Sequence, residues 1–73
     1  VKLTAIFIEN KKEEIIKISL RSKGKIDVNQ IAKKYFNGGG HKNASGGKSY
    51  DSLENTVNRF KSIVSSYKDL LND

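Results

Sequence analysis

Apolar residues recur along this chain with two different periods, and the change of period divides it into elements. From Lys2 to Glu9 the run Lys-Leu-Thr-Ala-Ile-Phe-Ile-Glu is short, apolar and rich in strand-favouring residues. Its alternation is imperfect, so it predicts a strand buried on both faces. Asn10-Lys11-Lys12 reads as a polar turn. From Glu14 to Ser22, Ile16, Ile18 and Leu20 alternate with Lys17, Ser19 and Arg21, the period of two expected when one strand face meets a core. Ile15 breaks the pattern at the strand's start. The short turn between the two runs makes them an antiparallel hairpin.

The period then lengthens. Asp27 is a good N-cap, with Gln30 at capping-box spacing. Val28, Ile31, Ala32 and Tyr35 follow at i, i+3, i+4 and i+7, one apolar face of a short helix. Tyr35 and Phe36 read as core anchors, and Lys33 and Lys34 suit the negative end of the helix dipole. Asn37-Gly38 ends the helix with residues that tolerate a left-handed backbone. Gly46 to Tyr50 predicts a third short strand, joined to the hairpin by a crossover containing the helix. Asp51 or Ser52 caps a last helix running to about Leu71. Its stripe is Leu53, Val57, Phe60, Val64, Tyr67 and Leu71, widened by Ile63 and Leu70, and its simplest role is to cover the sheet. The fold class is α+β: a small mixed sheet from a hairpin and a third strand, in the order β-β-α-β-α, with two flanking helices. Residues 1–73 form a single domain.

Composition narrows the chemistry. The 73 residues contain no cysteine, so neither a disulfide framework nor a thiolate metal site is available. A single histidine without an acidic cluster argues against a metal held by this chain alone. No apolar run approaches the ~20 residues of a membrane span, and no secretory leader is visible, which points to the cytoplasm. The chain starts at Val1 and has no methionine, so it is expected to be the C-terminal fragment of a longer enzyme. Of the formal net charge of +6, residues 1–50 carry eleven Lys/Arg against four Asp/Glu, and residues 51–73 carry three against four. The excess lies wholly in the first fifty residues. That pattern suits a polyanion such as nucleic acid, or an ordinary solvated lysine surface.

Five of the six glycines fall between Phe36 and Lys48, with the only histidine among them. Gly38, Gly39 and Gly40 remove Cβ atoms where a backbone turns with positive φ or approaches a ligand. His41 and Lys42 follow, and Ala44, Ser45, Gly46 and Gly47 keep the exit bare. Such a run can offer N–H groups to an anion beside an imidazole and an ammonium. It can also be a plain turn. Arg21 adds a planar fork of donors and Ser22 a hydroxyl, making a set suited to phosphate. The spacing is neither a Walker A loop nor a dinucleotide fingerprint. No carboxylate pair is placed for acid–base work.

Arg21-Ser22 at a strand end, Ile26-Asp27-Val28 opening a helix with Ile31-Ala32, then Gly38-Gly39-Gly40-His41 and Ala44-Ser45-Gly46-Gly47, resemble the DHH-associated domain. That is the C-terminal substrate-binding domain of DHH-family phosphoesterases, and the likeness is greatest to the bifunctional oligoribonuclease and phosphoadenosine-phosphate phosphatase group. The resemblance covers nearly the whole chain. It implies a mixed sheet with flanking helices, packed across a cleft from a DHH catalytic domain of the same polypeptide that holds manganese. It also implies that Arg21 and Ser22 hold a terminal nucleotide or its phosphate, and that the Gly38–Gly40 backbone and His41 meet the phosphate facing the metals, His41 completing the catalytic site. Ser45 departs from the alanine that relatives often carry. The remaining predicted substrate contacts are Lys42, Ala44, Ser45 and Gly46. The expected ligand is short RNA or a phosphorylated nucleotide, with no cofactor in this chain and the isolated chain inactive. The alternatives are a non-catalytic single-stranded nucleic-acid or tRNA-binding module, as at the end of alanyl-tRNA synthetases, and a homodimer using the last helix.

Overall fold

The computed structural model describes residues 2–68. β1 (Lys2–Asn10) and β2 (Ile15–Lys23) form the predicted hairpin, paired from Lys2↔Lys23 to Asn10↔Ile15. The turn closes through Glu14, at φ 56°, and the Glu13 N–H donates to Asn10 Oδ1 at 3.1 Å. On β2 the alternation is as read: Ile16, Ile18 and Leu20 are buried, while Lys17 and Arg21 are exposed.

β1 is not buried on both faces. Leu3, Ala5 and Phe7 are half-buried against the core, whereas Ile6 and Ile8 are 52% and 57% exposed. β1 is an edge strand, and both helices lie on one side of the sheet, so among the described residues nothing covers its other face.

α1 (Val28–Tyr35) starts as predicted, the Gln30 N–H donating to Asp27 Oδ1 at 3.2 Å. Val28, Ile31, Ala32 and Phe36 are fully buried beneath it. Asn37 takes the left-handed conformation (φ 53°), and the chain doubles back so that the Gly38 N–H reaches the Ala32 carbonyl at 3.0 Å. The helix thus stops where Asn-Gly predicts.

The predicted α+β class, a small sheet with two flanking helices, is what the chain forms, and the glycine run adds a fourth strand to the expected three. The sheet has four strands in the order β1-β2-β4-β3, with every pairing antiparallel. The extra strand is the glycine run itself: β3 (Gly39–His41) turns through Lys42-Asn43 into β4 (Ala44–Ser49). After α1 the chain re-enters at the far edge, and β4 reverses to fill the place beside β2. No parallel crossover is needed.

Two glycines make this packing possible. A Cβ on Gly38 would overlap the Gly46 carbonyl oxygen, and one on Gly47 would lie 2.5 Å from the Phe36 carbonyl oxygen. The last turn of α1 therefore rests directly on the backbone of β4, and the Lys48 N–H donates to the Phe36 carbonyl at 2.6 Å.

α2 (Leu53–Ser65) is capped by Ser52, whose Oγ accepts from the Asn55 N–H at 3.1 Å. Asp51 sits one residue before, accepting from the Ser52 N–H at 2.7 Å and from Asn55 Nδ2 at 3.0 Å. Those two donors, the Asn55 amide first, hold its carboxyl below the usual value of 3.8. Ile63 is buried, and Phe60 packs edge-on against Phe7 with ring centroids 5.5 Å apart. The predicted stripe is slightly rotated: Leu53 is exposed and Thr56 is fully buried. Thr56 can be buried because its hydroxyl pairs with Ser49 Oγ at 2.6 Å, and Ser49 also accepts from Arg59 Nη2 at 3.0 Å. Leu70 and Leu71 lie outside the described residues.

Candidate functional site

Directly opposed residues of antiparallel strands send their side chains to the same face. The registers therefore define the surface of the sheet that the helices leave open. One cross-strand row reads Thr4, Arg21, Ala44, His41, and the next reads Ile6, Ser19, Gly46. Arg21 and His41, 20 residues apart in sequence, thus stand on one face separated by the single strand β4, about 10 Å at ordinary strand spacing. Between them lies a floor of Ala44 and Gly46, almost without side chains. Both Arg21 and His41 are exposed. Arg21 Nη1 donates to the Leu20 carbonyl at 3.0 Å, which steadies the guanidinium and leaves further N–H donors for a ligand.

Beside Arg21 is a cavity of about 230 Å³ lined by Lys2, Thr4, Arg21, Ser22, Lys23 and Asn43. Lys2 and Lys23 are directly paired across the hairpin on the open face. Among the described strand residues on that face there is no carboxylate, because Glu9 has the parity of the helix-covered side. A larger hollow of about 370 Å³ lies at the other end of the hairpin, among Glu9, Glu14, Tyr50 and Asp51. Its carboxylates suit an anion poorly.

The other predicted residues fall elsewhere. Ser22 is buried on the covered face; its hydroxyl donates to the Ile26 carbonyl at 2.7 Å and accepts from Asn43 Nδ2 at 3.0 Å. It ties the end of β2 to the β3–β4 turn. Ser45 is buried too, donating to the His41 carbonyl at 2.6 Å, and so stiffens the hairpin that carries His41. The amides of Gly38 and Gly40 are engaged, with the Ala32 carbonyl and with Asn29 Oδ1 at 2.9 Å. Lys42 lies at the turn, its carbonyl accepting from the Val28 N–H at 2.8 Å and its side chain exposed. The structure thus gathers Arg21, His41, Ala44 and Gly46 on one face, and uses Ser22, Ser45, Gly38 and Gly40 to build it, while Gly39 faces Asn29 and Lys33 of α1. Lys2, Thr4 and Asn43 join the site without having been read from the sequence. The alternation along the hairpin would have placed Lys2 and Thr4 beside Lys23 and Arg21.

Among the described residues no group of three His, Asp or Glu side chains is placed to hold a metal ion. No helix of the described residues is long and apolar enough to cross a membrane.

A four-stranded antiparallel sheet with helices on one face, and an open face that is basic and without a carboxylate among the described strand residues, defines a small α+β domain. The chain belongs to the DHHA1 domain family, which it matches over residues 1–72. It is 39% identical over 56 residues to a 3',5'-cyclic-nucleotide phosphodiesterase of Helicobacter pylori, an alignment covering 77% of this chain and 16% of that protein. The crystal structure of an exopolyphosphatase-related protein from Bacteroides fragilis superposes with a TM-score of 0.86 and 45% identity, over 97% of this chain and 20% of the other. The chain thus spans a sixth to a fifth of the length of these relatives.

Proposed function

We propose that this chain is the substrate-gripping domain of a DHH-family phosphoesterase, working with a manganese-bearing catalytic domain of the same polypeptide. Its substrates are short oligoribonucleotides or nucleotide 3',5'-bisphosphates. The observation that carries the reading is the shared open-face row of Arg21 and His41, beside a basic cavity and without an opposing carboxylate. Arg21 grips a phosphate with its donor fork, and Lys2 and Lys23 raise the local potential. His41 donates a hydrogen bond to a phosphoryl oxygen. The bare floor of Ala44 and Gly46 lets the ligand approach the backbone. Ser22, Ser45, Gly38 and Gly40 serve by holding the hairpin in register. The names of the two similar proteins support phosphorus–oxygen bond chemistry in the whole protein: one is a phosphodiesterase, the other exopolyphosphatase-related.

The test is an amide NMR titration of the chain with a 5'-phosphorylated diribonucleotide. Shifts are expected at Arg21, Lys23, His41 and Ala44. Arg21→Ala should weaken binding about tenfold or more, the scale of a charge-assisted hydrogen bond. In the full-length enzyme, His41→Ala should lower turnover about a hundredfold with folding intact. Saturation without shifts at Arg21 or His41, or unchanged turnover in His41→Ala, refutes the assignment.

A further inference from the structure

The open face has a second cationic end that the Arg21–His41 row does not use. Lys17 on β2 and Lys48 on β4 are directly opposed, exposed, and on the same face as Arg21. Lys17 lies four residues from Arg21, ~14 Å along the strand at ~3.4 Å per residue. Its neighbour on β1 is Ile8, not a carboxylate. Like charges directly opposed across strands cost stability. This face carries two such pairs, Lys2 with Lys23 at one end and Lys17 with Lys48 at the other. Neither pair helps the fold, so each calls for an anion.

We propose that Lys17 and Lys48 form a distal phosphate anchor, and that the ligand is a single strand of several nucleotides lying along β2 from the Lys2–Lys23 end to the Lys17–Lys48 end. This rests on the reading of Arg21 and His41 as the proximal phosphate site. The cations are grouped at the two ends with Ser19 between them, which matches phosphates separated by sugars better than the dense charge of an inorganic polyphosphate. Ile6 and Ile8, exposed beside Ser19 and Lys17, offer apolar contact to sugar or base edges. A polyphosphate has no group to use it.

The experiment measures binding of 5'-phosphorylated oligouridylates, a dinucleotide and a hexanucleotide, to the chain across a salt series, with an inorganic polyphosphate of similar charge alongside. The hexanucleotide should bind about tenfold more tightly than the dinucleotide. The double variant Lys17→Gln/Lys48→Gln should abolish that gain, lower the hexanucleotide's salt slope by about 1.4, corresponding to two phosphates, and shift the dinucleotide less than twofold. Its melting temperature should hold or rise, because a like-charge pair is removed. An unchanged hexanucleotide affinity, or an equal loss for both lengths, overturns the distal anchor. Polyphosphate binding as tight as the hexanucleotide, with the same loss in the variant, overturns the nucleic-acid assignment. Arg21→Ala separates the two readings. If it does not weaken the dinucleotide while Lys17→Gln/Lys48→Gln still weakens the hexanucleotide, the proximal site falls and the distal anchor stands.

Discussion

Gly38→Ala separates a glycine kept for a ligand from a glycine kept for packing. The added methyl would overlap the Gly46 carbonyl oxygen, with Gly47 Cα at 2.6 Å and the Gly46 carbonyl carbon at 2.8 Å. All three are backbone atoms, so no side chain can rotate out of the way. The last turn of α1 must lift from β4. Lifting strains the hydrogen bond from the Lys48 N–H to the Phe36 carbonyl and disturbs Phe36, which is fully buried. Overpacking costs about 1–3 kcal/mol, and a buried carbonyl left without its donor adds about 1–3 kcal/mol. A loss of about 3 kcal/mol is expected. A domain of this length has roughly 4–11 kcal/mol of stability, so the melting temperature should fall by roughly 12–24 °C. Gly39→Ala is the control: its Cβ would meet only Asn29 Oδ1 at 3.3 Å and Lys33 side-chain carbons at 3.7 Å. Those are side-chain atoms that can move, and the cost should stay below about 1 kcal/mol. Thermal unfolding followed by circular dichroism decides. A Gly38→Ala protein melting within a few degrees of wild type, or a Gly39→Ala protein equally destabilised, refutes the packing account.

Ser22→Ala should lose the bonds to the Ile26 carbonyl and from Asn43 and cost about 1–3 kcal/mol. Any loss of ligand affinity should therefore come with a lower melting temperature, whereas Arg21→Ala should weaken binding at unchanged stability; a Ser22→Ala protein as stable as wild type that binds poorly would make Ser22 a direct contact instead. For Asp51, hydrogen bonds to the charged form lower the folded pKa below 3.8, so its stabilising effect is full above the unfolded pKa and fades as pH falls through the folded one. The melting-temperature gap between wild type and Asp51→Asn should therefore close on acidification below about pH 4; a gap that persists there argues against the carboxylate.

Much of the fold was legible where one residue type served one purpose. The alternation of Ile16, Ile18 and Leu20 placed β2, and Asp27 and Asn37-Gly38 bounded α1. The misreadings arise where packing overrode local preference. Glycine disfavours strands, so β3 carries no signal of its own. It forms because Gly38 and Gly47 allow the end of α1 to sit against β4, which brings Gly39–His41 to the sheet edge. Thr56 looked polar, but Ser49 and Arg59 satisfy its surroundings. Ile6 and Ile8 looked like core, but a face is core only if something covers it. In the site, Arg21 and His41 were legible as residue types. Their shared row was not, because it depends on β4 entering between β2 and β3.

The uncovered face links fold to function. Two helices, of 8 and 13 residues, pack on the same side of a four-stranded sheet. The other side faces water, and solubility alone would be met by charges of both signs. Instead β2 presents Lys17, Arg21 and Lys23 there, β1 adds Lys2 and β4 adds Lys48, with no carboxylate among the strand residues of that face. The acidic residues of the hairpin lie at Glu9 and in the turn, at Glu13 and Glu14, away from the Arg21–His41 row. Interspersed charge would solubilise the domain at less electrostatic cost. The proposed nucleic-acid ligand would neutralise this one-signed face with its two directly opposed lysine pairs, and the two ends of the face would set its length.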